Sequence, residues 1–305
     1  MKPTMRQPIQ VAAISLSAVA NIVLNSLVMI VIARTPTLRE DRTTLFMFSL
    51  AASDLAFGVC IMTTSAIFCS QPDIRINKFA SAFATISTWL TLASMYNLCS
   101  VCMCKMVTVT YPLRSTTLVT ERRCYIVIFV SWTASFIVTA PMYMLDISWS
   151  HDLCFVRLTQ ANDRYAVYVI IMHVFGGLIP MAVMVFANIT IFVVIVRVIK
   201  RVSVDGTHIG EVTNTHASNQ QTLATSIHKS VRASRNIIII CLTYIGLVVV
   251  SIVISNFTPR QELKISSAEF IVLWLFFNNT SINSLLYMVL YRSVRAALKK
   301  TLRWW

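Results

Sequence analysis

The chain has 305 residues, of which 56% are hydrophobic and only 12% are charged, about half of the roughly 25% that soluble domains carry. This composition excludes an ordinary soluble protein. The net charge of +14 does not indicate nucleic acid as a partner, because the basic residues cluster between long apolar stretches, where membrane topology and contact with anionic lipid account for them. Part of this charge could also receive an acidic partner.

Seven apolar stretches are each long enough to cross the hydrocarbon core of a bilayer, which is about 30 Å thick and needs about 20 helical residues. They lie at 11–33, 43–70, 79–110, 124–145, 166–199, 236–257 and 266–291. The third and fifth exceed the bilayer thickness and should tilt or project into the cytoplasm. Because the connections leave no room for a soluble domain, residues 1–305 predict an all-α membrane protein, a single seven-transmembrane helix bundle.

The basic residues also predict the orientation of this bundle. With the N-terminus outside, 18 of the 26 Lys and Arg residues fall in cytoplasmic segments, as the positive-inside rule requires. The sequence therefore predicts a multi-pass protein of the plasma membrane with its N-terminus outside and its C-terminus in the cytoplasm.

Two segments outside the spans have features of their own. Residues 202–230 are rich in Ser, Thr, Asn and Gln, which predicts a mobile cytoplasmic loop between the fifth and sixth spans. Residues 292–303 alternate apolar and basic residues at helical spacing. This pattern predicts a short amphipathic helix on the inner membrane surface, with Trp304 and Trp305 at the interface.

Two covalent modifications follow from this topology. Of the eight cysteines, Cys69 and Cys154 are the ones expected on the oxidising side, which predicts one disulfide; two free thiols are the alternative. Asn256 begins an Asn-Phe-Thr glycosylation acceptor at an outer helix end, although acceptors so close to a membrane are often unused.

The spans carry short motifs in a consistent order. Leu-Asn-Ser-Leu-Val occupies 24–28, Leu-Ala-Ala-Ser-Asp-Leu occupies 50–55, and Tyr-Pro-Leu follows the third span at 111–113. Trp132, Pro180 and Asn-Thr-Ser-Ile-Asn-Ser-Leu-Leu-Tyr at 279–287 complete the set. Each motif is weak alone, but their order and spacing together resemble the rhodopsin-like (class A) G-protein-coupled receptors, and the third span most resembles amine-receptor members.

The chain departs from this family at positions that belong to its conformational switch. Cys104-Lys105-Met106 replaces the family's Asp-Arg-Tyr, and the sixth span, 236–257, has neither Trp nor Pro. Ser284 replaces the seventh-span proline, Asn188 a fifth-span tyrosine, and Ala80 the cysteine at the top of the third span. The resemblance predicts the fold; it predicts signalling with an altered switch.

The resemblance assigns a sodium site to four side chains that supply only hard oxygen ligands. They are Asp54, Ser94, Asn279 and Asn283. A buried carboxylate needs a compensating charge or hydrogen-bond donors, so sodium in exchange with a proton is expected. The alternative is a protonated Asp54 bonded to Asn25 and Asn283 without an ion.

The resemblance also assigns a ligand pocket to the outer half of the bundle. Ser87 stands where amine receptors carry an aspartate, so a salt bridge to an ammonium group is excluded there. An apolar or neutral small ligand with a few polar anchors is expected, although a lone histidine on an apolar helix is more often packing than a contact. The predicted lining is Ser87, Thr91, Met172, His173, Gly176, Ser255, Leu273 and Phe277.

At the cytoplasmic end, Cys104, Lys105, Met106 and Tyr287 occupy switch positions of the family. Lys105 stands where an arginine reaches the G protein; it keeps the charge but loses the planar fork that makes paired hydrogen bonds. A lysine that only snorkels to the headgroups is the alternative. We therefore expect a cytoplasmic contact with altered coupling.

Two functions compete on these observations. The first is a cell-surface receptor that couples extracellular ligand binding to heterotrimeric G proteins; the second is a receptor-derived binding or scaffold protein with lost or atypical coupling. A transporter ranks third and would be revealed by substrate uptake. The seventh span has no lysine, which excludes a retinal Schiff base, and no nucleophile–base pair or metal cluster suggests an enzyme. No cofactor is expected apart from the sodium ion.

Overall fold

The computed structural model describes residues 6–70, 77–144, 147–150, 154–158, 163–207 and 267–302. Its helices and strands, in chain order, are α1 (Arg6–Arg34), α2 (Pro36–Glu40), α3 (Arg42–Phe57), a π-helical segment (Gly58–Met62), α4 (Thr63–Ser70), α5 (Asn77–Thr110), α6 (Ser115–Leu118), α7 (Glu121–Thr139), a 3₁₀ turn (Ala140–Met144), β1 (Ile147–Ser150), β2 (Phe155–Leu158), α8 (Asp163–His173), a second π-helical segment (Val174–Leu178), α9 (Ile179–Thr207), α10 (Ser267–Leu290) and α11 (Arg292–Leu302).

Helix boundaries follow local capping chemistry. The side chain of Asp41 accepts a hydrogen bond from the backbone N–H of Thr43 at 2.9 Å and so caps α3. Thr120 caps α7 through the backbone N–H of Arg123 at 3.4 Å, and Glu121 in the first turn suits the positive end of the helix dipole. The fourth span therefore begins at Glu121, three residues before the predicted position 124, because the cap precedes the apolar run.

Within the described ranges, five helical segments are long and apolar enough to cross a membrane. They are Pro8–Arg34, Arg42–Ser70, Phe79–Thr110, Glu121–Met144 and Ile170–Arg197. α10 coincides with the predicted seventh span, and α11 is the short helix expected after it. These elements agree with the predicted fold class, whereas the sixth span, 236–257, lies outside the described residues.

α5 lies at the centre of the bundle, where it packs against α3, α7 and α9, while α1 packs against α3, α4 and α10. The interior is apolar around Leu50, Leu98 and Val101. The outward faces are apolar too: Leu16 is 73% exposed and Phe129 is 70% exposed. Exposed apolar side chains of this kind on the outside of a helical bundle are suited to contact with lipid.

The structure differs from the sequence-based prediction in two connections. α9 continues to Thr207, so the first six residues of the predicted loop 202–230 are helical, while 208–230 lie outside the described residues. The segment after the fourth span forms an antiparallel hairpin, in which Ile147 pairs with Leu158 and Ser150 with Phe155. This hairpin is an addition to the all-helical prediction.

The second span widens into a π-helical turn directly after Asp54. Gly58 begins this turn, and its carbonyl accepts hydrogen bonds from both the backbone N–H and the hydroxyl of Thr63, the latter at 3.0 Å. Gly58 also lies directly against the side chain of Asn21 on α1. π-helical turns often accompany functional sites, and this one brings α1 close to the helix that carries Asp54.

Candidate functional site

Asp54 lies at the centre of the bundle and is completely buried. Among the described residues, neither of its carboxylate oxygens has a hydrogen-bond partner. The side chains of Ser94 and Asn283 are its polar neighbours. An ionised carboxylate buried without compensation costs several kcal/mol. The arrangement therefore calls for a cation or a proton at this position.

The other residues of the predicted sodium site are buried as well. Ser94 on α5 is 3% exposed, and Asn279 and Asn283 on α10 are 5% and 1% exposed. The amide oxygen of Asn279 also lacks a partner among the described residues, which leaves it available as a hard ligand. The four side chains thus come from three packed elements, α3, α5 and α10, and their donor set fits sodium.

Asn25 does not form the hydrogen bond to Asp54 that the ion-free alternative invoked. Its Nδ2 donates to the backbone oxygen of Asn21 at 2.9 Å, and its Oδ1 accepts from the hydroxyl of Ser284. The alternative of a neutral Asp54 therefore rests on Ser94 and Asn283 as its donors.

A series of side-chain hydrogen bonds joins α1 to α10, and we call it the α1–α10 seam. Trp274 Nε1 donates to the hydroxyl of Ser17 at 2.9 Å, Asn21 Nδ2 donates to the hydroxyl of Thr280 at 2.6 Å, and Ser284 meets Asn25. Sequence reasoning did not identify the seam. Its signal was the regular spacing of Ser17, Asn21 and Asn25, one helical turn apart in a span, 11–33, that contains no charged residue.

The predicted switch positions lie near the C-terminal end of α5. The thiol of Cys104 is buried and lies 3.6 Å from the hydroxyl of Thr43 on α3. Lys105 is half-buried, and within the described ranges it forms no ion pair; the ion pair found there joins Arg42 to Glu121 at 3.1 Å. Cys104 therefore makes a contact with α3 and supplies no carboxylate to hold Lys105.

Two further switch residues pack inside the bundle. Met106 packs against the main apolar cluster. Tyr287 is 1% exposed and meets Tyr291 edge to face, with 5.7 Å between ring centroids. Tyr287 thus lies in the last turn of α10, in contact with the residue that joins α10 to α11, so that a movement of α10 would displace it.

The predicted ligand-pocket residues separate into two groups. Ser87 and Gly176 are buried and Thr91 is half-buried, with its hydroxyl donating to the carbonyl of Ser87 at 2.9 Å. Gly176 faces Leu92 so closely that an added Cβ would lie 2.9 Å from Leu92 Cδ2. In this group α5 and the π-helical turn before α9 come together.

The second group has other surroundings. His173 is exposed, Met172 is half-buried, and the ring of Phe277 stacks on Phe57 with 5.1 Å between centroids. Ser255 and the glycosylation candidate Asn256 lie outside the described residues, as does the side chain of Leu273.

The hairpin is held to the bundle by a disulfide. Cys69 at the end of α4 is bonded to Cys154, with 5.0 Å between their Cα atoms, a usual separation. Cys154 has a left-handed backbone, φ 57°, which an L-residue adopts in tight turns at some cost. Both cysteines are buried beside Ile14 and Phe270, so the bond that the sequence predicts joins the hairpin to this end of the bundle.

The helices, the buried polar centre and the disulfide-bridged hairpin together define a helical membrane bundle. Residues 24–287 match the family described as "7 transmembrane receptor (rhodopsin family)". Because the match covers most of the chain, this protein belongs to that family, and it is a multi-pass membrane protein.

Curated relatives share about a quarter of their residues with this chain. The D(1C) dopamine receptor of Xenopus laevis is 23% identical over 294 residues, which cover 90% of this chain and 63% of the relative. The histamine H2 receptor of Rattus norvegicus is 25% identical, covering 94% and 80%. The D(2)-like dopamine receptor of Takifugu rubripes is 28% identical, covering 59% and 38%. The chain thus spans less than two thirds of the first of these dopamine receptors.

Proposed function

We propose that this chain is a cell-surface receptor that converts the binding of an extracellular small ligand into activation of a heterotrimeric G protein. The observation that carries the proposal is the buried Asp54, around which α3, α5 and α10 pack. A group of this kind favours different helix arrangements when its charge is compensated differently. A ligand or partner that prefers one arrangement shifts the population toward it.

The ligand that fits best is small and neutral or apolar. The relatives include receptors named for dopamine and histamine, but Ser87 offers a hydroxyl, and a hydroxyl cannot neutralise an ammonium group as a carboxylate does. Ser87 and Thr91 supply a few polar groups on otherwise apolar helices, in keeping with such a ligand. The excess of basic residues supports an external N-terminus and a cytoplasmic C-terminus.

Sodium is the ion we propose at Asp54. Its ligands would be the oxygens of Asp54, Ser94, Asn279 and Asn283, all of them hard donors. The ion binds the ionised carboxylate, so sodium and a proton compete for Asp54. Ligand affinity that depends on sodium would follow from this competition.

A second function, a binding or scaffold protein with lost or atypical coupling, is favoured by the contacts of Cys104. Its thiol interacts with Thr43 and cannot restrain Lys105 as a carboxylate would. The resting state therefore loses a charge-assisted hydrogen bond of about 1.5–3 kcal/mol. Lys105 also grips a partner less well than arginine, and we expect this second effect to dominate.

G-protein activation in cells distinguishes the two functions. We expect weak or absent activation by the wild-type chain, partial rescue by Lys105→Arg, and a larger rescue by Lys105→Arg combined with Cys104→Asp, because the pair acts as a unit. Lys105→Ala should remove any residual signal. Activation is measured as dissociation of the G-protein subunits, normalised to receptor at the cell surface.

Each outcome of this experiment favours one of the two functions. Rescue by Lys105→Arg supports a receptor with an altered switch, while no activation in any variant at normal surface levels supports the scaffold. Strong wild-type activation that Lys105→Arg leaves unchanged would contradict our account and would mean that a lysine suffices.

A further inference from the structure

A cleft of about 580 Å³ opens on the outer surface of α7, at its first turns. It is lined by Glu121, Arg122, Tyr125, Ile126 and Phe129. Tyr125, Ile126 and Phe129 are 54%, 53% and 70% exposed, so their side chains form the apolar floor of a shallow, open groove along one face of this helix. The charged residues lie at one end of the groove, where the span begins.

The charges at this end leave one cation available. The carboxylate of Glu121 pairs with Arg42 of α3 at 3.1 Å, and the guanidinium of Arg123 donates to the carbonyls of Thr117 and Leu118 at 3.1 and 2.9 Å. Within the described ranges, Arg122 has neither an ion pair nor a side-chain hydrogen bond. The groove therefore combines an exposed guanidinium at its mouth with an apolar interior.

We propose that this cleft binds one anionic phospholipid of the inner leaflet. Arg122 pairs with the phosphate or carboxylate of the headgroup, Tyr125 lies at the depth of the ester groups, and one acyl chain runs along Ile126 and Phe129. The side of the membrane rests on the orientation given under the proposed function. Guanidinium groups match phosphate and carboxylate well, whereas a sterol brings no charge and a zwitterionic headgroup brings no net negative charge.

The test uses the purified full chain in mild detergent, offered phosphatidylserine and phosphatidylcholine with identical acyl chains. Bound lipids are counted by native mass spectrometry. We expect roughly a five-fold preference for phosphatidylserine, the factor that one basic residue near a membrane surface provides. Arg122→Gln should remove this preference. Arg39→Gln, an exposed arginine on α2 outside the cleft, removes the same charge and should keep it.

A second pair of variants tests the groove without changing charge. Ile126→Trp fills the groove and should reduce phosphatidylserine binding several-fold, whereas Ile189→Trp adds the same bulk to another exposed position, 58% exposed on α9, and should not. Thermal unfolding verifies that each variant is folded. Equal losses in Arg122→Gln and Arg39→Gln, an ineffective Ile126→Trp, or a wild-type chain that prefers phosphatidylcholine or cholesterol would each overturn the proposal.

Discussion

Gly58 is a position at which a single methyl group matters. An added Cβ would overlap Asn21 Oδ1 and lie 2.9 Å from Asn21 Cγ. Asn21 cannot easily retreat, because it is completely buried and its amide donates to Thr280 at 2.6 Å. We expect Gly58→Ala to lower the free energy of unfolding by about 1–3 kcal/mol, measured by thermal or denaturant unfolding in detergent.

Gly177 provides the matched control for this substitution. A Cβ there meets nothing within 4 Å, so Gly177→Ala should be neutral or stabilise by up to about 1 kcal/mol. Combining Gly58→Ala with Asn21→Ala should cost less than the sum of the single changes, since the second removes the clash. Equal costs for the two glycine substitutions would refute the steric explanation.

Asp54 decides whether the protein responds to sodium. An ion that binds the folded state raises the melting temperature by mass action, and only the ionised carboxylate attracts the ion. We expect sodium to stabilise the wild-type protein relative to a bulky organic cation, and Asp54→Asn to abolish the difference. Thermal unfolding in the two salts at equal ionic strength measures it. If sodium stabilises both proteins equally, the ion binds elsewhere.

At the scale of elements, one position of the α1–α10 seam carries a hydrogen bond between two helices where the family has a helix-breaking residue. Ser284 occupies the family's proline position and bonds to Asn25, so α10 continues as a helix from Ser267 to Leu290. We expect a double-mutant cycle with Asn25→Ala and Ser284→Ala to give a coupling energy of about 0.6 kcal/mol, with about 1.7 as the upper range for membrane helices.

Ser281 is a control on the same helix. It is 7% exposed, and its hydroxyl has no partner among the described residues. Ser281→Ala should therefore cost little and show no coupling to Asn25→Ala. A coupling energy as large as that of Ser284 would mean that the cycle reports a general repacking of α10 instead of one hydrogen bond.

At the scale of the whole molecule, the disulfide links residues that are 85 positions apart. Closing a long loop restricts the unfolded chain, so Cys154→Ser should lower the free energy of unfolding by roughly 2–5 kcal/mol. Cys60→Ser is the control, since Cys60 is a free, exposed thiol in the same span as Cys69. Peptide mapping without reductant gives an independent measurement, and two free thiols at 69 and 154 would contradict the structure.

The sequence predicts the span positions well because bilayer thickness converts directly into the length of an apolar run. The third predicted span, 79–110, matches the helical segment Phe79–Thr110. The hairpin was missed because its strands have four residues each, too few for an alternating pattern to emerge. The π-helical turn at Gly58 depends on a neighbour from another helix, Asn21, and no local signal reports it.

The sodium ligands stay a prediction, while the contacts around them are visible only in the structure. Motif order selects Asp54, Ser94, Asn279 and Asn283 as candidates, and a carboxylate inside an apolar span is informative by itself. The partners of Asn25 and the contact between Cys104 and Thr43 depend on how distant helices are rotated against each other, which periodicity does not specify. Leu92 filling the space beside Gly176 is likewise a result of helix packing.

The α1–α10 seam also has a consequence for biosynthesis. Its hydrogen bonds connect residues 257 and 259 positions apart, so α1 is inserted long before its partner exists. At about 5–20 residues per second, the interval is roughly 10–50 s. During that time Ser17, Asn21 and Asn25 must find other partners in the membrane, either on α3 and α4 or on a membrane chaperone. The pairing of α1 with α10 is therefore a late step. In a chain that stops before α10, these side chains lack their α10 partners, and quality control can recognise them.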